Sequence, residues 1–304
     1  MNAENCLVVV PTYNGLKDLQ RLIDSLPSNA HFFVIDSSSS DGTADYLTEH
    51  EVDHLVIPTS EFNHGGTRQR ALVERPGYEI YIFMTQDAYL AEPEAIEYLI
   101  QPFEDPMVGA VCGKQLPHLE ARPLGRHARL FNYPVGSRTK TMADASVLGI
   151  KAAFMSNSFA AYRSESLMSV GGFPGHVILG EDMYVAARML MAGWKVAYQG
   201  SARCHHSHDY TLLEEGKRYF DIGVFLSREN WIQESFGSAG GEGMRFVVSE
   251  LKFLAQHGKF YIPDALVRNG IKMLGFKLGK QERRLPIKWK RKLSMHRRFW
   301  NSSP

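Results

Sequence analysis

The chain has 304 residues, of which 44% are hydrophobic and 22% charged, and its formal net charge is +1. This composition is typical of a globular protein with one large domain or one domain and an appendage, and the balanced charge argues against a general nucleic-acid surface. Three cysteines without metal-like or disulfide-like spacing predict reduced thiols in a cytoplasmic protein, and no apolar run is long enough to span a membrane.

The first hundred residues predict an α/β fold. Short apolar runs occur at 6–10, 31–35, 55–57 and 80–84, and segments with helical spacing separate them. The run at 80–84 is continuously apolar, which is typical of a strand that is covered on both faces. This rapid alternation predicts a mostly parallel, twisted, Rossmann-like sheet flanked by helices.

The middle of the chain is less regular. Strands are expected at 108–111, 158–162 and 195–198, with helices at 93–100 and between Gly180 and Gly193. Between 114 and 151, three prolines interrupt a mixture of basic and aromatic residues. Long irregular segments inside compact domains are often lids or binding loops, so we expect this one to face a substrate.

The last third of the chain predicts a helical region with a basic end. Helical spacing dominates beyond Asp209, and we therefore divide the chain into a domain at 1–210 and a helical region at 211–304. From Ala265 onward there are twelve Lys or Arg residues and one acidic residue, Glu282. Interspersed aliphatic residues favour contact with an anionic membrane surface or a lipid-linked anionic partner, whereas the alternative is a solvated tail. Contact between copies in a homo-oligomer is also compatible with this region.

Polar residues follow three of the predicted strands. Pro11, Thr12 and Asn14 end the first strand, where backbone amides and a short polar side chain can contact a nucleotide or simply form a turn. Asp36 ends the second strand and can accept a hydrogen bond from the N3–H of a pyrimidine. Asp87 follows the run at 80–84. Ligands of open α/β sheets collect outside the carboxyl ends of the strands, so this carboxylate is well placed to hold a metal or a phosphate-bearing substrate.

A glycine-rich loop precedes the third predicted helix. Asn63, Gly65 and Gly66 offer flexible backbone, and helix N-terminal amides favour anions. Arg68 lies in the same helix and can pair with two oxygens of a pyrophosphate. The alternative for Arg68 is an ordinary surface position on the helix.

Two further clusters contain ionisable side chains. Glu181 and Asp182 lie in a first helical turn, where the helix dipole favours carboxylates for structural reasons alone, although one of them could also act as a general base. His206 and His208 follow the last strand and lie on the same side of an extended segment. They could bind a metal, whereas stacking or capping is the alternative.

Six short motifs occur in one order: PTYN, IDSSSSDGT, NHGGTRQ, TQDA, GED and HHSH. Together they resemble the inverting family-2 glycosyltransferases of the GT-A fold, over roughly residues 5 to 230. The NHGGTR and TQDA variants, with KRYFDIGVF, are similar to bacterial rhamnosyltransferases that build surface polysaccharides. Each motif alone is weak, but six in this order are specific.

The resemblance implies a role for each candidate residue. Asp36 is implied in base recognition, and Asp182 is implied as the base, with Glu181 orienting the acceptor. Asp87 is implied to bind Mn²⁺ or Mg²⁺ in a DXD-like element that departs from the family pattern, because Gln86 and Ala88 stand where acidic residues are usual. His206 and His208 are implied as further metal ligands, with His205 less favoured. The nucleotide-sugar would lie against a set of nine residues: Pro11, Thr12, Asn14, Asp36, Asn63, Gly66, Arg68, Gln86 and Asp87.

The activity that the resemblance implies is transfer of a sugar with inversion. The expected donor is dTDP-L-rhamnose, and the expected acceptor is a saccharide or a lipid-linked saccharide. A UDP-hexose or UDP-galactofuranose donor is one alternative. A sugar-nucleotidyltransferase and a non-catalytic nucleotide-binding module are others. The protein is expected in the cytoplasm or on the inner face of the cell membrane.

Overall fold

A nine-stranded mixed sheet lies at the centre of the fold in the computed structural model, which describes residues 5–237 and 241–301. The strands are β1 (Cys6–Thr12), β2 (His31–Asp36), β3 (His54–Val56), β4 (Ile80–Met84), β5 (Tyr89–Leu90), β6 (Val108–Leu116), β7 (Arg138–Lys140), β8 (Phe159–Arg163) and β9 (Lys195–His205). Their order across the sheet is β3-β2-β1-β4-β8-β6-β9-β5, and β7 pairs with β9.

Helices pack on both faces of the sheet. Along β1, Leu7 and Val9 belong to one hydrophobic core, and Val8 and Val10 belong to the other, as the two-residue period of a strand requires. The helices are α1 (Leu16–Ser25), α2 (Thr43–Glu49), α3 (His64–Glu74), α4 (Ala95–Ile100), α5 (Pro123–Asn132), α6 (Ala145–Leu148), α7 (Ser164–Ser169), α8 (Glu181–Met191), α9 (Leu212–Arg228), α10 (Asn230–Phe236), α11 (Glu242–His257), α12 (Ile262–Lys280) and α13 (Ile287–Leu293).

The carboxyl ends of six strands, β1, β2, β3, β4, β6 and β9, lie at one edge of the sheet, which we call the ligand edge. Parallel pairing joins β3, β2, β1 and β4, and it also joins β6 to β9. β8 runs antiparallel to both β4 and β6, so it begins where they end. The residues that follow β1, β2, β4 and β9 therefore reach the ligand edge together with those that precede β8.

The segment between β6 and β8 is more ordered than the sequence predicts. It contains α5, β7 and α6, and Pro123 stands in the first turn of α5. Proline is favoured at that position because its missing N–H would have no partner inside the helix. A proline that the sequence pattern presents as an interruption thus begins a helix.

Two C-terminal helices, α9 and α12, pack with their backbones in contact. A methyl group added at Gly275 would lie 2.3 Å from the carbonyl oxygen of Gly216, and one added at Gly279 would lie 2.0 Å from that of Phe220. Only glycine permits so close an approach. None of the helices in the described residues is long and apolar enough to cross a membrane.

We expect Gly279→Ala to destabilise the protein by about 1–3 kcal/mol, because the added methyl group overpacks the contact between α9 and α12. Gly270→Ala in the same helix is the matched control, since nothing lies within 4 Å of a methyl group at that position. Replacing a helix-interior glycine there should stabilise the protein by about 0.5–1 kcal/mol. Urea unfolding of both variants measures the difference, and equal midpoints would contradict the packing argument.

Candidate active site

Asp87 faces two histidines across the ligand edge. It follows β4, and its Oδ2 lies 3.5 Å from Nε2 of His206 and 3.4 Å from Nδ1 of His208. The ligand atoms of all three residues lie within 4.8 Å of one another. The neighbouring His205 points elsewhere, because its ring stacks on Tyr89 with centroids 5.0 Å apart. The structure thus brings together the three residues that the sequence predicts as metal ligands.

The tautomer of His206 is fixed by Gln115. Arg129 donates to Oε1 of Gln115 at 2.8 Å, so this atom is an acceptor, and Nδ1 of His206 at 2.9 Å must carry the proton. Nε2 of His206 then bears a lone pair, and this buried atom has no hydrogen-bond partner in the described part of the chain. Two lone pairs, on His206 and on Asp87, face each other. A cation placed between them would bind both.

The protonation states of the three residues suit a metal. Burial lowers the pKa of His206, and although Asp87 opposes the change, the ring is neutral near pH 7. Burial, and then His206, lower the pKa of His208 to about 3. Burial alone would raise the pKa of Asp87, but the two histidines outweigh it, and the pKa lies below its ordinary value. One carboxylate and two neutral imidazoles can hold a divalent cation and leave positions for other oxygens.

Gln86 connects the turn after β1 to Asp87. Its Oε1 accepts hydrogen bonds from Oγ1 of Thr12 at 2.7 Å and from the backbone N–H of Tyr13 at 2.8 Å. Its Nε2 donates to the carbonyl of Tyr13 at 3.3 Å. A carboxylate could not donate that last bond. Gln86, which stands where the DXD pattern has an acidic residue, therefore stabilises the turn after β1. Its contact with a nucleotide-sugar stays a prediction.

The loops after β1 and β2 interlock. Pro11 lies within β1, beside Ile35, and not after the strand as the sequence suggests. Asn14 adopts a left-handed conformation with φ of 47°, and its Oδ1 accepts from the backbone of Ser40 at 2.8 Å. Asp36 is fully buried and accepts from the backbone N–H of Ser39 at 3.0 Å. These contacts hold Asn14 and Asp36 at the ligand edge.

Asn63 begins α3. Its Oδ1 accepts from the N–H of Gly66 at 2.8 Å, which makes Asn63 the N-cap of the helix. Arg68, one turn further, is only 4% exposed, and its Nη1 contacts Oε1 of Glu181 at 3.2 Å and the carbonyl of His64 at 2.9 Å. The structure thus gives Arg68 a buried carboxylate partner instead of the open position that the sequence suggests.

Glu181 and Asp182 differ sharply in environment. Glu181 is buried and accepts from Nδ2 of Asn157 at 2.9 Å. Burial alone would raise the pKa of Glu181, but Arg68, His64 and Asn157 outweigh it, and the pKa is lowered. Asp182 is partly exposed, and burial together with the charge of Glu181 raises its pKa to about 7. A carboxylate with a pKa near the working pH suits general-base chemistry.

Glu181 has two buried partners and an effect on its neighbour. Its carboxylate is 5% exposed, pairs with Arg68 and accepts from Asn157, and its charge raises the pKa of Asp182. Its predicted part in orienting the acceptor stays a prediction. Sequence reasoning missed Asn157 and Gln115. Both are polar residues at the ligand-edge end of a strand, β8 and β6 respectively, and that position is the signal that could have found them.

Known proteins resemble this chain closely. A model of glycosyl transferase family 2 matches residues 7–171. The O-antigen chain rhamnosyltransferases RfbN of Salmonella typhimurium and WbaN of Salmonella anatum are each 46% identical over 300 residues, which is 97% of this chain and 96% and 95% of theirs. The solved structure of a mannosyltransferase from Pyrobaculum calidifontis, in complex with GDP-Man and Mn²⁺, superposes with a TM-score of 0.63 at 15% identity. It covers 91% of this chain and 87% of that one.

We expect His206→Ala to abolish measurable binding of Mn²⁺ in the presence of a nucleoside diphosphate, as judged by calorimetry. Gln115→Leu should weaken binding by about 10–100-fold, because His206 loses the acceptor that fixes its tautomer. His205→Ala is the matched control and should bind within about twofold of the unchanged protein, since its ring stacks on Tyr89. If His206→Ala bound Mn²⁺ with unchanged affinity, the ion would not bind at this site.

Proposed function

The chain belongs to glycosyl transferase family 2, and from this membership we propose that it transfers L-rhamnose from dTDP-L-rhamnose, with inversion, to a saccharide acceptor in surface-polysaccharide synthesis. The family and the GT-A fold predicted from the sequence are confirmed. Support for the donor sugar comes from two rhamnosyltransferases that are 46% identical over almost their whole length. The main observation behind this proposal is that four candidate residues lie at one edge of the sheet: Asp87, His206, His208 and Asp182.

The donor would lie along the ligand edge. Pro11, Thr12 and Asn14 border its nucleoside, and Asp36 would accept from the N3–H of thymine with a lone pair that Ser39 leaves unused. The diphosphate would approach Asp87 and the first turn of α3. There Asn63 and Gly66 shape the helix terminus, Arg68 adds a buried positive charge, and Gln86 holds the adjoining turn in place.

Asp87, His206 and His208 would hold the divalent cation, Mn²⁺ or Mg²⁺. When bound, such an ion neutralises the charge that develops on the departing nucleoside diphosphate. The chain's own contribution is to keep the carboxylate ionised and both imidazoles neutral, so that all three lone pairs remain available.

Asp182 would act as the general base. Its carboxylate removes the proton of the acceptor hydroxyl as that oxygen bonds to the anomeric carbon. The bond from this carbon to the diphosphate oxygen breaks on the opposite face, and the configuration inverts. The backbone N–H groups of Asn157 and Met183, at 3.2 and 2.7 Å, fix the orientation of the carboxylate. Asn157 also bonds Glu181, so one residue aligns both carboxylates.

Asp182→Asn should lower the transfer rate about 10³-fold while nucleotide binding persists, because the amide cannot accept the proton. In the unchanged protein the rate should fall as the pH drops below about 7, where Asp182 becomes protonated. Since folding raises this pKa, Asp182 costs stability increasingly as the pH rises from its ordinary pKa to about 7, and in full above that, so the Asn variant should melt at a higher temperature at pH 8. If Asp182→Asn retained the transfer activity, Asp182 would not be the general base.

The donor assignment is tested by hydrolysis of nucleotide-sugars without acceptor, with Mn²⁺ present. We expect dTDP-L-rhamnose to be hydrolysed faster than a UDP-hexose or UDP-galactofuranose. Asp87→Ala, which removes the carboxylate at the proposed cation site, provides the background rate. A preference for a UDP-sugar would contradict the assignment of the donor but not the transferase activity. Release of pyrophosphate from a nucleoside triphosphate would instead support a nucleotidyltransferase.

We also propose that α12 and α13 attach the protein to an anionic membrane surface on the cytoplasmic side, where a lipid-linked acceptor would be found. Large apolar side chains are about half exposed on these two helices, and Lys288, Arg291 and Lys292 surround those of α13. The exposed apolar residues are Leu266, Val267, Met273, Leu274, Ile287 and Trp289. Basic residues beside exposed apolar ones are typical of surface attachment to anionic lipid.

Co-sedimentation with liposomes tests this attachment. Binding should rise with the content of anionic lipid, and the double variant Met273→Ala, Trp289→Ala should bind several-fold more weakly because it loses buried apolar area. Val73→Ala is the matched control, since Val73 is 70% exposed on α3, outside the basic region. Binding that is indifferent to anionic lipid would rule out the proposal.

A further inference from the structure

The basic residues after α13 fold back onto the rest of the protein. The N–H of Met295 donates to Oδ2 of Asp221 in α9 at 2.8 Å, and Nη1 of Arg298 donates to the carbonyl of Thr59 at 2.6 Å. Ser294 is fully buried and Trp300 is 2% exposed. The segment 294–301, which we call the C-terminal segment, is therefore anchored by two hydrogen bonds and two buried side chains. This arrangement differs from the solvated tail that composition alone allows.

The C-terminal segment forms one wall of a cleft of about 750 Å³. The loop that leads into α3 and the loop that leads into α8 form the other walls, with Tyr13 at the β1 side. A cleft of this volume is in the range of small-molecule sites. Asn63, which lines it, caps α3, and Ile178 lies three residues before Glu181. The cleft thus adjoins both the nucleotide side and the carboxylate side of the candidate active site.

Three arginines and one acidic residue, Glu61, line the cleft, and Glu61 already pairs with Arg70 at 2.9 Å. The lining histidines His64 and His296 add no charge near pH 7, because burial lowers the pKa of both. Two of the arginines are occupied, since Arg228 pairs with Glu282 at 3.0 Å and Arg298 bonds a backbone carbonyl. Arg297 is exposed, and within residues 5–237 and 241–301 its side chain makes no hydrogen bond or ion pair. Its guanidinium is available to a ligand.

We propose that this cleft binds the diphosphate group of a substrate and that Arg297 is the residue that contacts it. A guanidinium presents paired N–H donors whose spacing matches that of phosphate oxygens. Because the backbone of the C-terminal segment is anchored, the positions that the Arg297 guanidinium can reach are restricted. Tyr13 and Phe62 add aromatic surface to the same cleft. The inference rests on the proposed function, in which either the donor nucleotide or a lipid-linked acceptor supplies the diphosphate.

Calorimetry on the full chain with Mg²⁺ distinguishes the two sources. The probes are dTDP alone and geranyl diphosphate in the presence of saturating dTDP. If the donor supplies the group, Arg297→Ala weakens dTDP binding about tenfold; if the acceptor does, dTDP binding is retained and geranyl diphosphate binding weakens about tenfold. Arg297→Lys should recover part of the loss, because it keeps the charge but not the paired donors.

Arg188→Ala is the matched control. Arg188 is an exposed arginine of α8 that neither lines the cleft nor belongs to the basic C-terminal region, so its loss should change both affinities less than about twofold. If Arg297→Ala binds both probes as tightly as the unchanged protein, or if Arg188→Ala weakens them equally, the proposal is wrong. If no nucleotide-sugar is turned over but Arg297 still governs probe binding, the proposed function fails and the cleft assignment stands.

Discussion

The facing lone pairs of Asp87 and His206 are the constraint on which the rest of the site depends. Oδ2 of Asp87 and Nε2 of His206 lie 3.5 Å apart, within reach of one cation, and two separate amides hold them there. Gln115 directs the proton of His206 away from Asp87, and Gln86 fixes the turn before Asp87 onto β1. Neither amide needs to touch a ligand to have this effect. The substitution of an acidic residue by Gln86 is thus compatible with an intact site.

A second network surrounds Asp182, the proposed general base. The pKa of Asp182 is raised by burial and by the charge of Glu181, and Glu181 stays ionised because Arg68 lies 3.2 Å away. Removing one partner from a buried ion pair is usually costly, since the other charge remains without compensation. A change at Arg68 in α3 would therefore reach the proposed base through Glu181 in α8, apart from any effect on the diphosphate. Such an effect would resemble loss of a binding residue in a rate measurement, although its cause is electrostatic.

Sequence reasoning succeeded where local pattern and strand direction suffice. The apolar run of β4 predicts a covered strand, and parallel strands place Asp36 and Asp87 on one edge. It failed where long-range pairing decides. Arg68 and Glu181 are 113 positions apart, and nothing in either motif shows that their charges meet in the interior. Pro123 is a different case, because a proline can either interrupt a helix or begin one, and the local pattern here suggests an interruption.

The basic C-terminal region combines two environments that composition cannot separate. Exposed apolar and basic residues of α12 and α13 face outward, whereas the C-terminal segment lines the cleft. The two are mechanically joined, since α12 packs on α9 through Gly275 and Gly279, and Asp221 of α9 holds Met295. A surface that attached to lipid through α12 would therefore hold the cleft at a fixed height and orientation. For an acceptor that remains in the membrane, that geometry would limit which hydroxyl reaches Asp182.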